Sequence, residues 1–182
     1  MVNKSFSVGL LPDEWKHADI TPLHKKGSKS LREHYRPISL TCISSKIGKK
    51  FVFDRMIGFW REIDLINSHQ FRFLRGRSTA AQLLSTFNDW VKSQDLSIPT
   101  DVIFLDLAKA FDSIPDERLL LKLKSNSIDA SLLNWLRHFL VGCKQHVVVK
   151  GSCYDWSRGT SGTPQGTILG PLLILASYIS VT

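Results

Sequence analysis

The sequence contains few cysteines and nothing that divides it into separate units. Its three cysteines, Cys42, Cys143 and Cys153, form neither a CxxC pair nor an even set, so we expect neither a disulfide framework nor a structural zinc site. There are no internal repeats, no low-complexity tracts and no Gly/Ser-rich linker. The hydrophobic fraction of 43% in 182 residues is enough to bury a core, so wholesale disorder is not expected.

Long apolar runs are also missing. The N-terminal segment 1–11 has too short an apolar part for a secretion signal. The apolar segment 168–181 is interrupted by Gly170 and Pro171 and falls short of the roughly 20 residues that a membrane-spanning helix needs. We therefore expect an intracellular chain that is neither secreted nor embedded in a membrane.

Acidic residues are scarce in the first half of the chain. The whole sequence has 24 Lys and Arg against 16 Asp and Glu, a net charge of +8. Residues 16–77 alone hold fourteen basic and five acidic residues, whereas from Asp101 onward the two signs nearly balance. Such a surface suits a polyanion such as nucleic acid, although an ordinary solvated basic face explains the charge equally well.

Hydrophobic periodicity predicts a mixture of helices and strands. The spacing of apolar residues predicts helices over 80–91 and 132–140, and Pro115 with the two acids after it predicts the start of another. Thr100–Leu107 is short, apolar and rich in β-branched residues, which predicts a buried strand. We also expect hairpins about Gly27-Ser28 and about Gly151-Ser152. The elements do not alternate as strict βαβ units, so the sequence favours an α+β fold.

The segment VIFLDLAKAFDSIP places Asp106 at the end of the predicted buried strand. A carboxylate next to a core is costly unless it has a partner, and Mg²⁺ is one such partner because it prefers hard oxygen ligands. A salt bridge or a helix cap is the alternative explanation. Asp112, six residues later, also fits a turn or cap before the next helix.

Two further segments carry residues that suit a phosphate-bearing ligand. RGTSGTPQGTILGPLL holds four glycines followed by an apolar run, and glycines allow a backbone to approach a ligand closely. It matches neither the Walker A pattern nor the dinucleotide-binding fingerprint. The segment ITPLHKKGSKSLREHYRPISL carries five basic residues that suit a triphosphate, namely Lys25, Lys26, Lys29, Arg32 and Arg36.

Taken in order, these segments resemble the reverse transcriptase domain of non-LTR (LINE-like, jockey-type) retrotransposons. LPDEWKHADITPLHKKGS and YRPISLTCISSK resemble the first fingers motifs, and HQFRFLRGRSTAAQL is similar to the family's Q-F-G-F-R-x-G-R-S-T block. FLDLAKAFDSIPDERLLLKL resembles the first catalytic motif of the palm, and SGTPQGTILGPLL the P-Q-G motif that follows. Five collinear matches along essentially the whole chain make the resemblance specific.

The resemblance implies a two-metal nucleotidyl transfer and a role in it for particular residues of this sequence. Asp106 would be the catalytic ligand of Mg²⁺ (or Mn²⁺), assisted by the Leu107 carbonyl. Phe111 would stand under the sugar of the incoming nucleotide and reject a 2′-hydroxyl. The remaining implied residues bind the nucleotide (Lys25, Arg36, Gln165, Gly166) or contact the template (Gly76, Arg77, Ser78).

The sequence departs from this family in three ways. It contains no aromatic-Ala-Asp-Asp motif up to Thr182, the usual acid of a K-x-x-E stretch is Lys49, and the glycine of Q-F-G-F is Arg72. Because Asp106 alone cannot hold two metal ions, we expect this chain by itself to be inactive. The alternative is a non-catalytic basic module that binds RNA or DNA. A metal nuclease built on Asp106 and Asp112 is disfavoured, since no further acid-rich or H-x-H cluster completes a site.

By resemblance, residues 1–100 would form a fingers-like region with a basic surface and residues 101–182 a partial palm of a right-hand polymerase, with an incomplete antiparallel sheet and packed helices. The implied partners are an RNA template, a DNA primer, deoxynucleoside triphosphates and the remaining palm, thumb and endonuclease regions of a parent polyprotein. We expect a nuclear or cytoplasmic ribonucleoprotein and no membrane partner. The six histidines show no metal-ligand spacing and receive no role.

Overall fold

The structure, a computed structural model, describes residues 2–106, 114–159 and 166–178. Its helices are α1 (Val2–Val8), α2 (Ile43–Glu62), α3 (Thr79–Asp95), α4 (Asp116–Ser125), α5 (Ala130–Leu140) and α6 (Leu169–Tyr178). Its strands are β1 (His17–His24), β2 (Tyr35–Leu40), β3 (Lys144–Val149), β4 (Ser152–Cys153) and β5 (Ser157–Arg158). Two short 3₁₀ turns, Asp13–Lys16 and Arg32–His34, precede β1 and β2. The predicted α+β class is confirmed.

The strands form one mixed sheet in the order β2-β1-β3-β4, with β5 also pairing with β3. The antiparallel pair of β1 and β2 confirms the first predicted hairpin, although residues 25–34 make a longer connection than a tight turn. In the second hairpin Val149 pairs with Ser152, which places the turn at Lys150-Gly151. β1 and β3 are parallel, beginning with His17 opposite Lys144. The sheet therefore joins the start of the chain to its second half.

The three predicted helices are confirmed as α3, α4 and α5, and their starts follow from local chemistry. The Ser78 side chain accepts a hydrogen bond from the Ala81 amide at the start of α3, and Asp129 accepts one from the Leu132 amide at the start of α5. Such caps satisfy amides that have no partner within the helix. α4 follows Pro115 and has two acids in its first turn, as the positive end of a helix favours.

A single apolar cluster fills the space between the helices, and residues from both sides of position 100 contribute to it. Trp15, Trp60 and Trp135 are almost wholly buried in it. The Trp135 indole donates to the Ser5 hydroxyl at 3.0 Å. Gly48 of α2 lies so close to Trp15 that a Cβ atom there would be 2.6 Å from the ring, so the helix can approach only through a glycine. The division into 1–100 and 101–182 stays a prediction.

The predicted buried strand over Thr100–Leu107 is wrong for the residues that the structure describes. Residues 98–106 form neither helix nor strand, and Phe104 and Leu105 are 85% and 89% exposed. A strand needs a neighbour to pair its backbone amides and carbonyls, and within the described ranges no strand lies beside this segment. Leu107 lies outside the described residues.

The helix predicted over 80–91 exists as α3, but its apolar stripe is not buried. The stripe consists of Leu83, Leu84, Phe87, Trp90 and Val91, which are 39% to 70% exposed. None of the α3 residues is buried. Among the described residues, no helix is both long enough and apolar enough to cross a membrane.

Candidate nucleotide and nucleic-acid site

The β1–β2 hairpin presents the two fingers residues that the sequence predicts. Lys25 follows β1 directly and donates its amide hydrogen to the His34 carbonyl at 2.8 Å, which closes the hairpin loop. Arg36 lies on β2 opposite Leu23 of β1. Both basic residues are exposed. Gly27, at φ +80°, leaves space for the His34 ring, which a Cβ atom would approach to 2.6 Å. The loop therefore holds its basic side chains in solvent on an ordered backbone.

Gly166 lies against the same hairpin. A Cβ atom at Gly166 would be 3.2 Å from Cγ2 of Ile38 and 3.7 Å from the Ser39 backbone, both on β2. Its φ of +84° is in the region that favours glycine. Because side chains alternate along a strand, Arg36 points to the same face of β2 as Ile38. The structure therefore places Gly166 against Ile38, two residues along β2 from Arg36 and on the same strand face. Arg36 and Gly166 were predicted from separate motifs. Gln165 lies outside the described residues.

The predicted catalytic centre is not assembled by the described residues. Asp106 is exposed, at the end of the segment without secondary structure, whereas Leu107, Phe111 and Asp112 lie outside the described ranges. Within those ranges, no three His, Cys, Asp or Glu side chains are grouped closely enough to hold a metal ion. The residues present therefore do not fit a two-metal centre, and we assign no reaction step to one.

The predicted template-contacting residues have structural contacts. Gly76 has a φ of +79°, and Ser78 caps α3. The Arg77 guanidinium donates to the Ser68 carbonyl and lies 5.2 Å from the centre of the Phe71 ring. These contacts order the loop before α3, and a template contact of this segment stays a prediction.

Sequence reasoning missed a cleft at the other end of β1. His17, Lys144, Trp156, Ser157 and Arg158 line an open cavity of about 390 Å³. The signal available in the sequence was the spacing of one tryptophan and two basic residues on either side of a short hairpin. The near-neutral charge of the second half concealed it, as did the absence of any metal-ligand spacing among the histidines.

Sequence reasoning also missed the environment of Lys49. The residue is 2% exposed, its Nζ lies 3.4 Å from the Thr41 hydroxyl oxygen, and the same atom lies 5.1 Å from the centre of the Phe139 ring. Burial lowers the pKa of the Lys49 ammonium from 10.5 to about 8. Burial also raises the pKa of the nearby Cys143 thiol, which Lys49 partly opposes. The departure at position 49 was visible in the sequence, but its burial was not.

The chain is similar to a known family along most of its length. A family model described as reverse transcriptase (RNA-dependent DNA polymerase) matches residues 23–177. Among individual proteins of Drosophila melanogaster, the chain is 31% identical over 172 residues to the probable RNA-directed DNA polymerase from transposon BS. It is 32% identical over 164 residues to that of transposon X-element and 30% identical over 172 residues to the RNA-directed DNA polymerase from mobile element jockey.

These alignments cover 89% to 94% of this chain but only 18% to 19% of each relative. The chain therefore spans about a fifth of the length of the relatives it matches.

Proposed function

Because the chain belongs to the reverse transcriptase (RNA-dependent DNA polymerase) family, we propose that it is the fingers and part of the palm of an RNA-directed DNA polymerase of a mobile element. The observation that carries this proposal is the packing of Gly166 against Ile38 of β2, two residues from Arg36 on the same strand. Two motifs far apart in sequence, each expected to contact the incoming nucleotide, meet at one strand. The parent enzyme would use an RNA template, a DNA primer and deoxynucleoside triphosphates.

In this arrangement the chain's own residues bind and position the nucleotide. The Arg36 guanidinium, with its planar fork of donors, suits phosphate oxygens, and the Lys25 ammonium adds a point charge at the end of the same hairpin. Gly166 is exposed, so a base or sugar can approach its backbone from the side away from β2. By family resemblance, Gln165 and Phe111 would complete the proposed pocket, and segment 76–78 would contact the template.

Reverse transcriptases use divalent metal ions, and Mg²⁺ or Mn²⁺ would serve the complete enzyme with Asp106 as one ligand. Among the described residues, no group of three or more His, Cys, Asp or Glu side chains could hold a metal ion, so we expect no nucleotide incorporation by this chain alone. Its cellular setting would be an intracellular ribonucleoprotein, nuclear or cytoplasmic, together with the remaining palm, thumb and endonuclease regions of the parent.

Binding of a deoxynucleoside triphosphate to the purified chain tests the proposal. We expect dTTP to bind, and Arg36→Ala to weaken it about tenfold, since a hydrogen bond to a charged group contributes roughly 1.5 to 3 kcal/mol. Arg118→Ala is the matched control, because Arg118 is exposed on α4, outside the proposed pocket. Equal dTTP affinity in both variants would remove Arg36 from the site. Oligonucleotide binding without any dTTP binding would favour the non-catalytic nucleic-acid-binding module instead.

A further inference from the structure

A row of basic side chains crosses three neighbouring strands of the sheet. His17 on β1 lies opposite Lys144 on β3, and Lys144 in turn lies opposite Arg158 on β5. Residues directly paired on neighbouring strands point to the same face of a sheet. An imidazole, an ammonium and a guanidinium therefore stand side by side on one face.

Trp156 stands next to this row. Its ring centre lies 5.0 Å from that of His17 and 4.0 Å from that of His146, so two imidazoles hold the indole beside the basic side chains. Trp156 is nevertheless 50% exposed. A large aromatic surface thus remains available to a ligand.

The cleft that these residues line has a favourable size and charge. Its volume of about 390 Å³ falls within the roughly 300 to 1,000 Å³ typical of small-ligand sites. Its five lining residues include no acid, so Lys144 and Arg158 have no opposing charge among them. The nearby Asp19 carboxylate lies 3.3 Å from Nε2 of His146.

A half-exposed indole beside a lysine and an arginine matches the chemistry of single-stranded nucleic acid, whose bases stack on aromatic rings while its phosphates attract basic groups. We propose that this cleft binds single-stranded RNA or DNA, with one base stacked on Trp156 and the adjacent phosphates held by Lys144 and Arg158. The inference rests on the proposed function in that nucleic acid is the expected partner. A duplex fits less well, because its bases are already stacked on one another.

The cleft is separate from the proposed nucleotide pocket. His17 begins β1 and Lys25 follows its end, so the two positions are roughly 25 Å apart at about 3.3 Å per residue. Substitutions in the cleft can therefore be separated from substitutions at Lys25 or Arg36.

Fluorescence anisotropy with labelled oligouridylate and oligodeoxythymidylate of about 12 nucleotides, together with a matching duplex, tests the inference. We expect Trp156→Ala to weaken single-strand binding about tenfold and Trp156→Phe to retain most of it, since a base stacks on either ring. Trp90→Ala is the matched control, because Trp90 is also half-exposed but lies on α3. Comparing the two oligonucleotides shows whether RNA or DNA is preferred.

The proposed phosphate contacts of Lys144 and Arg158 are tested by the salt dependence of oligonucleotide binding between about 50 and 200 mM salt. Arg158→Ala should reduce the slope of log affinity against log salt by about 1, the loss of one phosphate contact. Lys150→Ala, in the turn between β3 and β4, should leave this slope unchanged. The unfolding midpoint of each variant shows whether it folds.

The outcomes separate this inference from the proposed function. Two results overturn the cleft as a single-strand site. One is a Trp156→Ala variant that binds the single-stranded oligonucleotides no more weakly than Trp90→Ala does. The other is a Trp156→Ala variant whose affinities for duplex and for single strand fall equally. If dTTP binding still depends on Arg36 in that case, the proposed polymerase function stands. If the folded chain binds no oligonucleotide at all, the inference is overturned as well.

Discussion

Replacing Lys49 by methionine should stabilise the protein. The Lys49 side chain is almost wholly buried, and the contacts that compensate for the burial of its ammonium are the Thr41 hydroxyl and the Phe139 ring. Methionine has a similar length and no charge, so it can fill the same space without removing an ion from water. An apolar replacement of a buried charge is often neutral or stabilising.

The magnitude follows from the pKa of Lys49, which burial lowers from 10.5 to about 8. At roughly 1.4 kcal/mol per pH unit, the cost of keeping the charge in the folded state is about 3 kcal/mol. Below pH 8 the lysine is charged in both states and the whole cost is present. Between about pH 8 and 10.5 the unfolded chain binds more protons, so the stability contributed by this residue rises with pH. Lys49→Met should therefore gain up to about 3 kcal/mol near pH 7 and much less near pH 10.

Urea unfolding followed by tryptophan fluorescence, near pH 7 and near pH 10, measures both values. Burial raises the pKa of the Cys143 thiol and Lys49 opposes that rise. Removing Lys49 therefore costs further stability at alkaline pH, in the same direction as the expected difference between pH 7 and pH 10. Lys50→Met is the matched control, because Lys50 is exposed and paired with Asp54 one helical turn away. Such a surface pair contributes at most about 1 kcal/mol.

Two results would refute this reasoning. One is a Lys49→Met protein that is less stable than its parent near pH 7, which would mean that the Thr41 and Phe139 contacts outweigh the cost of burial. The other is an equal change at both pH values, which would mean that the effect comes from packing and not from the charge.

Two further predictions concern the backbone. Gly166→Ala should lower the unfolding free energy by about 1 to 3 kcal/mol, because it combines a positive φ with a contact on Ile38. Gly142→Ala is the control for backbone strain alone, since Gly142 has a φ of +78° and nothing within 4 Å. Equal losses of the two variants in chemical unfolding would contradict the contact with β2. Asp129→Ala should lower the global unfolding free energy by about 1 kcal/mol through loss of the α5 cap. Ser78→Ala should instead increase hydrogen exchange within α3, since that helix buries none of its residues, and a large global loss would contradict this.

Local elements of the fold could be predicted because their signals lie within a few residues. The 3.6-residue spacing of apolar positions and the acids after Pro115 specify helices without knowledge of their neighbours. Gly27 and Gly151 mark the two hairpins for the same reason, since both have positive φ values that other residues rarely adopt. The predicted site residues Arg36 and Gly166 both lie at β2, Gly166 against Ile38, although both were predicted from motif resemblance and not from hydrophobic periodicity.

Features that depend on distant pairing could not be predicted. The parallel pairing of β1 with β3 joins residues 17–20 to residues 144–147, and no local pattern encodes which strands become neighbours. The basic row of His17, Lys144 and Arg158 exists only because of that pairing. Charge counted along the sequence therefore pointed to residues 16–77 as a candidate nucleic-acid surface and overlooked the second candidate, which the sheet assembles.

The segment before Asp106 shows what the proposed catalytic role still requires. Burying a Phe or Leu side chain stabilises a protein by about 1.5 to 3 kcal/mol, yet Phe104 and Leu105 remain exposed. The described residues thus offer neither an apolar surface nor a strand edge to this segment. A metal-ligating carboxylate must be held to within a fraction of an ångström, which an unpaired segment cannot do. Catalysis through Asp106 therefore requires a strand partner for residues 100–106, and that partner is not among the described strands.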